Sequence, residues 1–284
     1  MRAGIVAAAM AAAWCVTGCA GTPTADDGDQ SATAAGKQLA RVAAGDHRSE
    51  TNIARNQYRH PVQTLQFFGV DPDMTVVEIW PGTGWYTEIL AAYLRDNGTF
   101  YAAGFSLRSV TVPEYRERIQ REYVAKLRDR PTIYDRVKLT AMGPPEDWWV
   151  APDNSADRVL TFRNVHNWMK DGYASLVFDG MYDALKPGGI LGVVEHRASP
   201  GTSLETMETS GYVTEQHVKI LAARSGFEFV ESSEINANPK DMKDHPEGVW
   251  TLPPSLRLGD KDREKYLEIG ESDRMTLKFR KPAG

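Results

Sequence analysis

The stretch Val76-Val77-Glu78-Ile79-Trp80-Pro81-Gly82-Thr83-Gly84-Trp85-Tyr86-Thr87-Glu88-Ile89-Leu90 runs from a β-branched strand pattern, through a bend with two glycines, straight into a helical pattern. Glycine lets backbone approach a ligand closely, and a helix start offers unpaired N–H groups and the positive end of its dipole. Such a bend can hold a carboxylate or a phosphate, although it is also the ordinary way to close a βα unit. Two further clusters carry groups able to move a proton or hold a cation: Phe162-Arg163-Asn164-Val165-His166-Asn167-Trp168-Met169 and Val193-Val194-Glu195-His196-Arg197. His166 can act as a general base, with Trp168 or Tyr86 lining a cationic centre. The plainer reading is that His166 and Asn167 cap the helix that follows. If the two preceding strands are neighbours, about 5 Å apart, His196 lies close to His166. With Glu195 or His60 the pair would form a zinc- or iron-type ligand set. Strand alternation puts Glu195 and His196 on opposite faces, however, so no metal site is expected. The catalytic candidates are therefore His166, Asn167 and His196. The arginines, Tyr58 and His60 of Arg55-Asn56-Gln57-Tyr58-Arg59-His60-Pro61 can close a crevice or simply be solvated, and Trp148-Trp149 is expected to pack. His47, His217 and His245 have no interpretable partner spacing.

These groups need a scaffold, and the pattern of the body supplies one. Short β-branched runs alternate with longer periodic stretches, which is the signature of an α/β fold with a mainly parallel sheet. Seven strands are expected at Thr75 to Trp80, Thr99 to Phe105, Arg136 to Met142, Arg158 to Phe162, Ile190 to His196, Phe227 to Ile235 and Arg274 to Phe279. Helices are expected at about 49 to 68, 84 to 95, 113 to 129, 171 to 185 and 214 to 225. In an open α/β sheet the carboxyl ends of the strands face the ligand. The connection Asn236 to Ser272 is long for a compact domain and reads as a lid.

Composition narrows the class. Of 284 residues 42% are apolar and 25% charged, so the chain as a whole is globular. A net charge of −5 gives no attraction for nucleic acid. The two cysteines, Cys15 and Cys19, leave no thiolate for a metal site or a disulfide framework in the body. Arg2, the apolar run Gly4 to Val16 and small residues before Cys19 describe an export signal too short to span a membrane. Val16-Thr17-Gly18-Cys19 resembles the lipobox of bacterial lipoproteins, which implies acylation of Cys19 and membrane attachment through the N-terminal lipid only. Ala20 fits outer-membrane anchoring facing the periplasm. Residues 1–19 are thus read as signal peptide, 20–46 as a flexible Gly/Ala/Thr/Asp/Ser-rich tether and 47–284 as one domain.

From Arg55 to Lys281 the chain resembles the class I S-adenosylmethionine-dependent methyltransferases, and within them a bacterial group of predicted methyltransferases with the phrase PG-x-GWYTEIL, here Pro81 to Leu90. The turn Leu185-Lys186-Pro187-Gly188-Gly189 and the ending Phe279-Arg280-Lys281-Pro282 belong to the likeness. It implies a Rossmann-like fold with helices on both faces, sheet order 3-2-1-4-5-7-6 and an antiparallel last strand. S-adenosylmethionine would lie on Glu78, Pro81, Gly82, Thr83, Gly84, Trp85, Tyr86 and Asn164, and the enzyme would methylate a small acceptor. The chain departs from the family at three places. Trp80 replaces the first loop glycine, Tyr101 to Ser106 holds no acid for the ribose hydroxyls, and Met142-Gly143-Pro144-Pro145 holds none for the adenine. An unmet ribose pair forfeits about 1–3 kcal/mol unless Ser106, Glu146 or Asp147 substitutes. The other reading implied is a non-catalytic periplasmic module that binds a small molecule on the same fold.

Overall fold

The computed structural model describes Met1, residues 27–108 and residues 112–284. The remainder of the expected signal peptide, Cys19 and the first part of the expected tether lie outside the described residues. The sheet holds β1 (Thr75–Ile79), β2 (Thr99–Phe105), β3 (Lys138–Met142), β4 (Ala156–Phe162), β5 (Leu185–His196), β6 (Glu228–Ser233) and β7 (Arg274–Arg280). Its order is β3-β2-β1-β4-β5-β7-β6. Neighbours from β3 to β5 are parallel, and β7 runs antiparallel to both β5 and β6. The expected order and the antiparallel last strand are both present.

β1 and β4 read as unbroken apolar runs because both faces of the sheet are covered. On one face Val77, Ile79, Val159, Leu191 and Val193 meet helices Val165–Lys170, Ala174–Ala184 and Glu215–Arg224. On the other, Val76, Ala102 and Leu160 meet helices Pro61–Phe67, Thr87–Leu94 and Glu114–Asp129. β1 stands level with β2 and β4, Ile79 opposite Ala103 and Thr161, so their carboxyl ends open on one edge.

Two expectations need correction. The helix expected over 49 to 68 is three pieces, Glu50–Ala54, Asn56–Arg59 and Pro61–Phe67. A residue before proline is driven out of the α region, and His60 takes a left-handed φ of 39°. The second concerns the tether. Helix Asp27–Ala43 lies inside it, with Leu39 and Ala43 buried beside Leu65 and Leu90. Two apolar residues four apart on one helix face are enough to dock it, a signal that low overall hydrophobicity conceals.

Candidate functional site

Beyond the carboxyl ends of β1, β4 and β5 lies a cavity of about 370 Å³. Its roof is the long connection between β6 and β7, through Val249, Trp250, Pro253, Pro254 and Ser255, with Glu271 and Ser272 at its end. Glu78, Pro81, Gly82, Thr83, Trp85, Tyr86 and Asn164 line it, as do His166, Asn167 and His196. Gly84 does not. At Gly82, with φ at 60°, a Cβ would meet nothing within 4 Å, so the bend is open to a ligand there. At Gly84 a Cβ would approach Tyr123 Cε2 to 2.9 Å, which makes it a packing glycine between two helices. Asn164 is already committed: its Nδ2 donates to Ile79 O at 2.9 Å and to Thr161 Oγ1 at 3.1 Å, tying β1 to β4. Tyr86 stacks on Phe162 with centroids 3.5 Å apart, and the Trp85 ring has the guanidiniums of Arg48 and Arg59 each 4.7 Å from its centroid. Of the two aromatic candidates for the lining, Tyr86 is at the cavity, whereas Trp168 is fully buried in the core.

Glu195 organises the histidines. Its fully buried carboxylate accepts from Val165 N at 2.6 Å, His196 N at 2.8 Å and His166 Nδ1 at 3.0 Å. The cap of helix Val165–Lys170 is therefore Glu195, reaching across from β5, and not His166 or Asn167. A carboxylate oxygen accepts, so Nδ1 of His166 is the donor of that bond. His196 stands 5.3 Å from His166, ring to ring, with Nδ1 at 2.5 Å from Ser272 Oγ. The expectation that alternation separates Glu195 from His196 fails, since the carboxylate turns back onto the N–H of His196. Ligand-type atoms of His166, Glu195 and His196 all fall within 4.8 Å of one another. His60 is elsewhere, in a separate hollow with Tyr58 and Asn236.

Arginine dominates the remaining wall. Arg55 Nε and Arg59 Nε donate to Glu271 at 2.7 and 2.9 Å, and Arg274 Nη1 stands 3.2 Å from the same carboxylate. Burial pushes Glu271 up, but Arg59, Arg274 and Arg55 outweigh it and hold the group at about 2. A fourth guanidinium, Arg163, has no such partner; burial and the field of Arg274 bring it down to about 10. His196 falls well below its ordinary value through burial and through His166, Arg163, Arg274 and Arg59. Surroundings this cationic disfavour a divalent metal beside His196 and favour an anion. Arg163, Trp250, Glu271 and Ser272 escape sequence reasoning: Arg163 stands in a noted cluster but among more conspicuous residues, and the others lie in a connection without periodicity. Of the segment Arg55 to Pro61, Arg55 and Arg59 reach the crevice while Tyr58 and His60 do not.

No family profile and no curated protein sequence matches the chain. Solved structures do resemble it. A SAM dependent methyltransferase from Aquifex aeolicus aligns with a TM-score of 0.52 at 14% identity, over 87% of this chain and 98% of that one. The cyclase SpnF aligns with a TM-score of 0.53 at 18% identity, over 88% and 93%. The class defined is thus the Rossmann-like fold of the class I methyltransferases, and at these identities the likeness establishes fold alone.

The residues present do not fit the cofactor that this fold implies. Trp80 follows β1 with φ at 49°, a conformation uncommon outside glycine. Its indole donates Nε1–H to Met142 O at 2.8 Å, lies 4.7 Å from Phe105 and 5.7 Å from Trp168, and is 5% exposed. It lines both the main cavity and a smaller one of about 180 Å³ beside Ser106 and Gly143, standing between them. An adenosyl group laid from β1 toward β2 and β3 would cross that indole. No acid stands at the end of β2, and the suggested substitute Asp147 already accepts from Ser106 Oγ at 2.6 Å and Arg108 Nη1 at 2.8 Å. Glu78 accepts from Thr87 Oγ1 at 2.7 Å and is lifted by burial to about 7, so at neutral pH it is a weak carboxylate anchor.

Proposed function

We propose that this protein is a small-molecule-binding module of the bacterial cell envelope built on the class I methyltransferase fold, with its ligand over β4 and β5 and without S-adenosylmethionine. One observation carries the reading: Trp80 fills the ground between β1 and β2 that an adenosyl group would need. Export agrees with it, because a sulfonium cofactor made in the cytoplasm does not cross a bilayer unaided. The attachment proposed is acylation of Cys19, at the outer membrane facing the periplasm; labelled palmitate should enter the protein and be lost in Cys19→Ser.

Calorimetry of the full-length protein in detergent with S-adenosylmethionine and S-adenosylhomocysteine is the test. No heat up to millimolar ligand is expected. Gly82, open to a ligand as a methyltransferase loop would be, favours a second reading, an S-adenosylmethionine-dependent methyltransferase acting on a small acceptor with His166 as its base. Micromolar binding abolished by Glu78→Ala would establish that one and overturn ours.

A further inference from the structure

We infer that the crevice over β4 and β5 takes a small organic acid whose carboxylate is gripped by Arg163, an inference that rests on the ligand seat proposed above. Arg163 leaves β4 in the left-handed region, with φ at 64°, and its backbone is fixed there by an N–H bond to Val194 O at 2.7 Å. A non-glycine residue in this conformation is strained and persists where its surroundings demand a particular side-chain direction. Here the side chain lines the cavity. Its Nη1 is sealed from solvent and donates to nothing, and Nη2 of Arg55, on the same cavity, is in the same condition.

Charge and shape then select the occupant. Arg55, Arg59 and Arg274 share the carboxylate of Glu271, which leaves Arg163 without a bonded acid. A buried guanidinium N–H without an acceptor is unfavourable, and its planar fork matches a carboxylate with two parallel hydrogen bonds. The rest of the cavity is not made for a bare ion. Tyr86, Phe162, Val249, Trp250, Pro253 and Pro254 line it, so the acid carries an apolar, planar body.

The probes are benzoate, its uncharged counterpart benzamide, and inorganic phosphate, titrated into full-length protein while tryptophan fluorescence, to which Trp250 contributes, and calorimetric heat are followed. A molecule of benzoate's size is expected to bind at about millimolar. Benzamide should bind at least about 10-fold more weakly, as the loss of charge-assisted hydrogen bonds requires. Arg163→Lys keeps the charge but not the fork and should lower benzoate affinity about 10-fold with an unchanged circular dichroism spectrum and melting temperature; Arg163→Ala should lower it further. Equal binding of benzoate and benzamide, wild-type affinity in Arg163→Ala, no binding of benzoate, or binding of phosphate in preference to it each overturns the inference. Failure of the underlying reading looks different: S-adenosylmethionine would bind the wild type, whether or not benzoate binding depends on Arg163.

Discussion

Replacing Glu78 with glutamine should stabilise the protein at alkaline pH and leave it nearly unchanged in acid. The carboxyl is 2% exposed and bonded to Thr87, and burial raises it from an ordinary 4.5 to about 7, with Thr87 and Arg163 drawing it down only in part. A raised folded value means that the fold holds this proton more tightly than the unfolded chain does. The resulting stabilisation is complete below about 4.5 and is lost as pH climbs through 7. The gap between those values, at about 1.4 kcal/mol per pH unit, is worth about 3 kcal/mol. Glutamine is neutral throughout and never carries this penalty. Urea unfolding followed by tryptophan fluorescence at about pH 4 and about pH 9 should therefore show Glu78→Gln gaining about 3 kcal/mol on wild type between the two, or about 6–12 °C in melting temperature. All other titrating groups cancel in the comparison. If the difference between variant and wild type is the same at both pH values, Glu78 is ionised in the fold. A true carboxylate would then stand at the end of β1, and the objection to an adenosyl ligand would lose one of its supports.

Glu271→Gln should remove about 3–5 kcal/mol at neutral pH, because the buried guanidiniums of Arg59 and Arg274 and the half-buried one of Arg55 lose their charged acceptor. The folded value of Glu271 is depressed, so its contribution is present above about 4.5 and fades as pH falls toward 2; unfolding free energies of variant and wild type should converge in acid. Gly84→Ala should cost more stability than Gly82→Ala, since the clash with Tyr123, about 1–3 kcal/mol, adds to the strain of its φ of 83°. Gly82→Ala, whose Cβ meets nothing, should lose only about 1–2 kcal/mol of backbone strain while weakening benzoate binding if the ligand reaches the bend. Leu39→Ala should destabilise by about 2–5 kcal/mol in thermal unfolding, and an unchanged midpoint would mean that helix Asp27–Ala43 is not docked.

The sheet was legible because β1 and β4 are covered on both faces and so carry unbroken apolar runs; strand order followed from resemblance, since nothing in a strand's own residues names its neighbour. The break before Pro61 was readable from the proline itself, and the single helix expected there gave too little weight to it. Helix Asp27–Ala43 was hidden, its docking depending on Leu39 and Ala43 against an otherwise polar composition. At the site, sequence found the histidines and the glycine bend. It could not find that the carboxylate of Glu195 turns onto the next N–H of its own strand, that Arg163 lacks an acceptor, or that Trp250 and Glu271 return from the connection between β6 and β7. Each of these depends on side-chain direction or chain return, which local periodicity does not encode.

Two strand ends together determine what this fold can hold. β1 ends in Trp80 and β4 in Arg163, each in a left-handed conformation that bulky residues avoid, and each sends a large side chain where a smaller residue would leave room. Trp80 closes the side toward β2 and β3 with aromatic packing and a satisfied N–H. Arg163 lines the opposite side, its buried Nη1 without an acceptor, under a roof that the chain builds from Val249 to Ser255. On the proposed reading the first residue removes room for a nucleoside, and the second adds a demand for negative charge. Replacing Trp80 with glycine should therefore not suffice to give S-adenosylmethionine binding, because no acid stands at the end of β2 and Arg163, without a bonded acid, presents positive charge to a cationic sulfonium. Micromolar S-adenosylmethionine binding by Trp80→Gly alone, measured by calorimetry, would show that the indole was the sole barrier and that the arginines of the crevice do not govern which ligand it accepts.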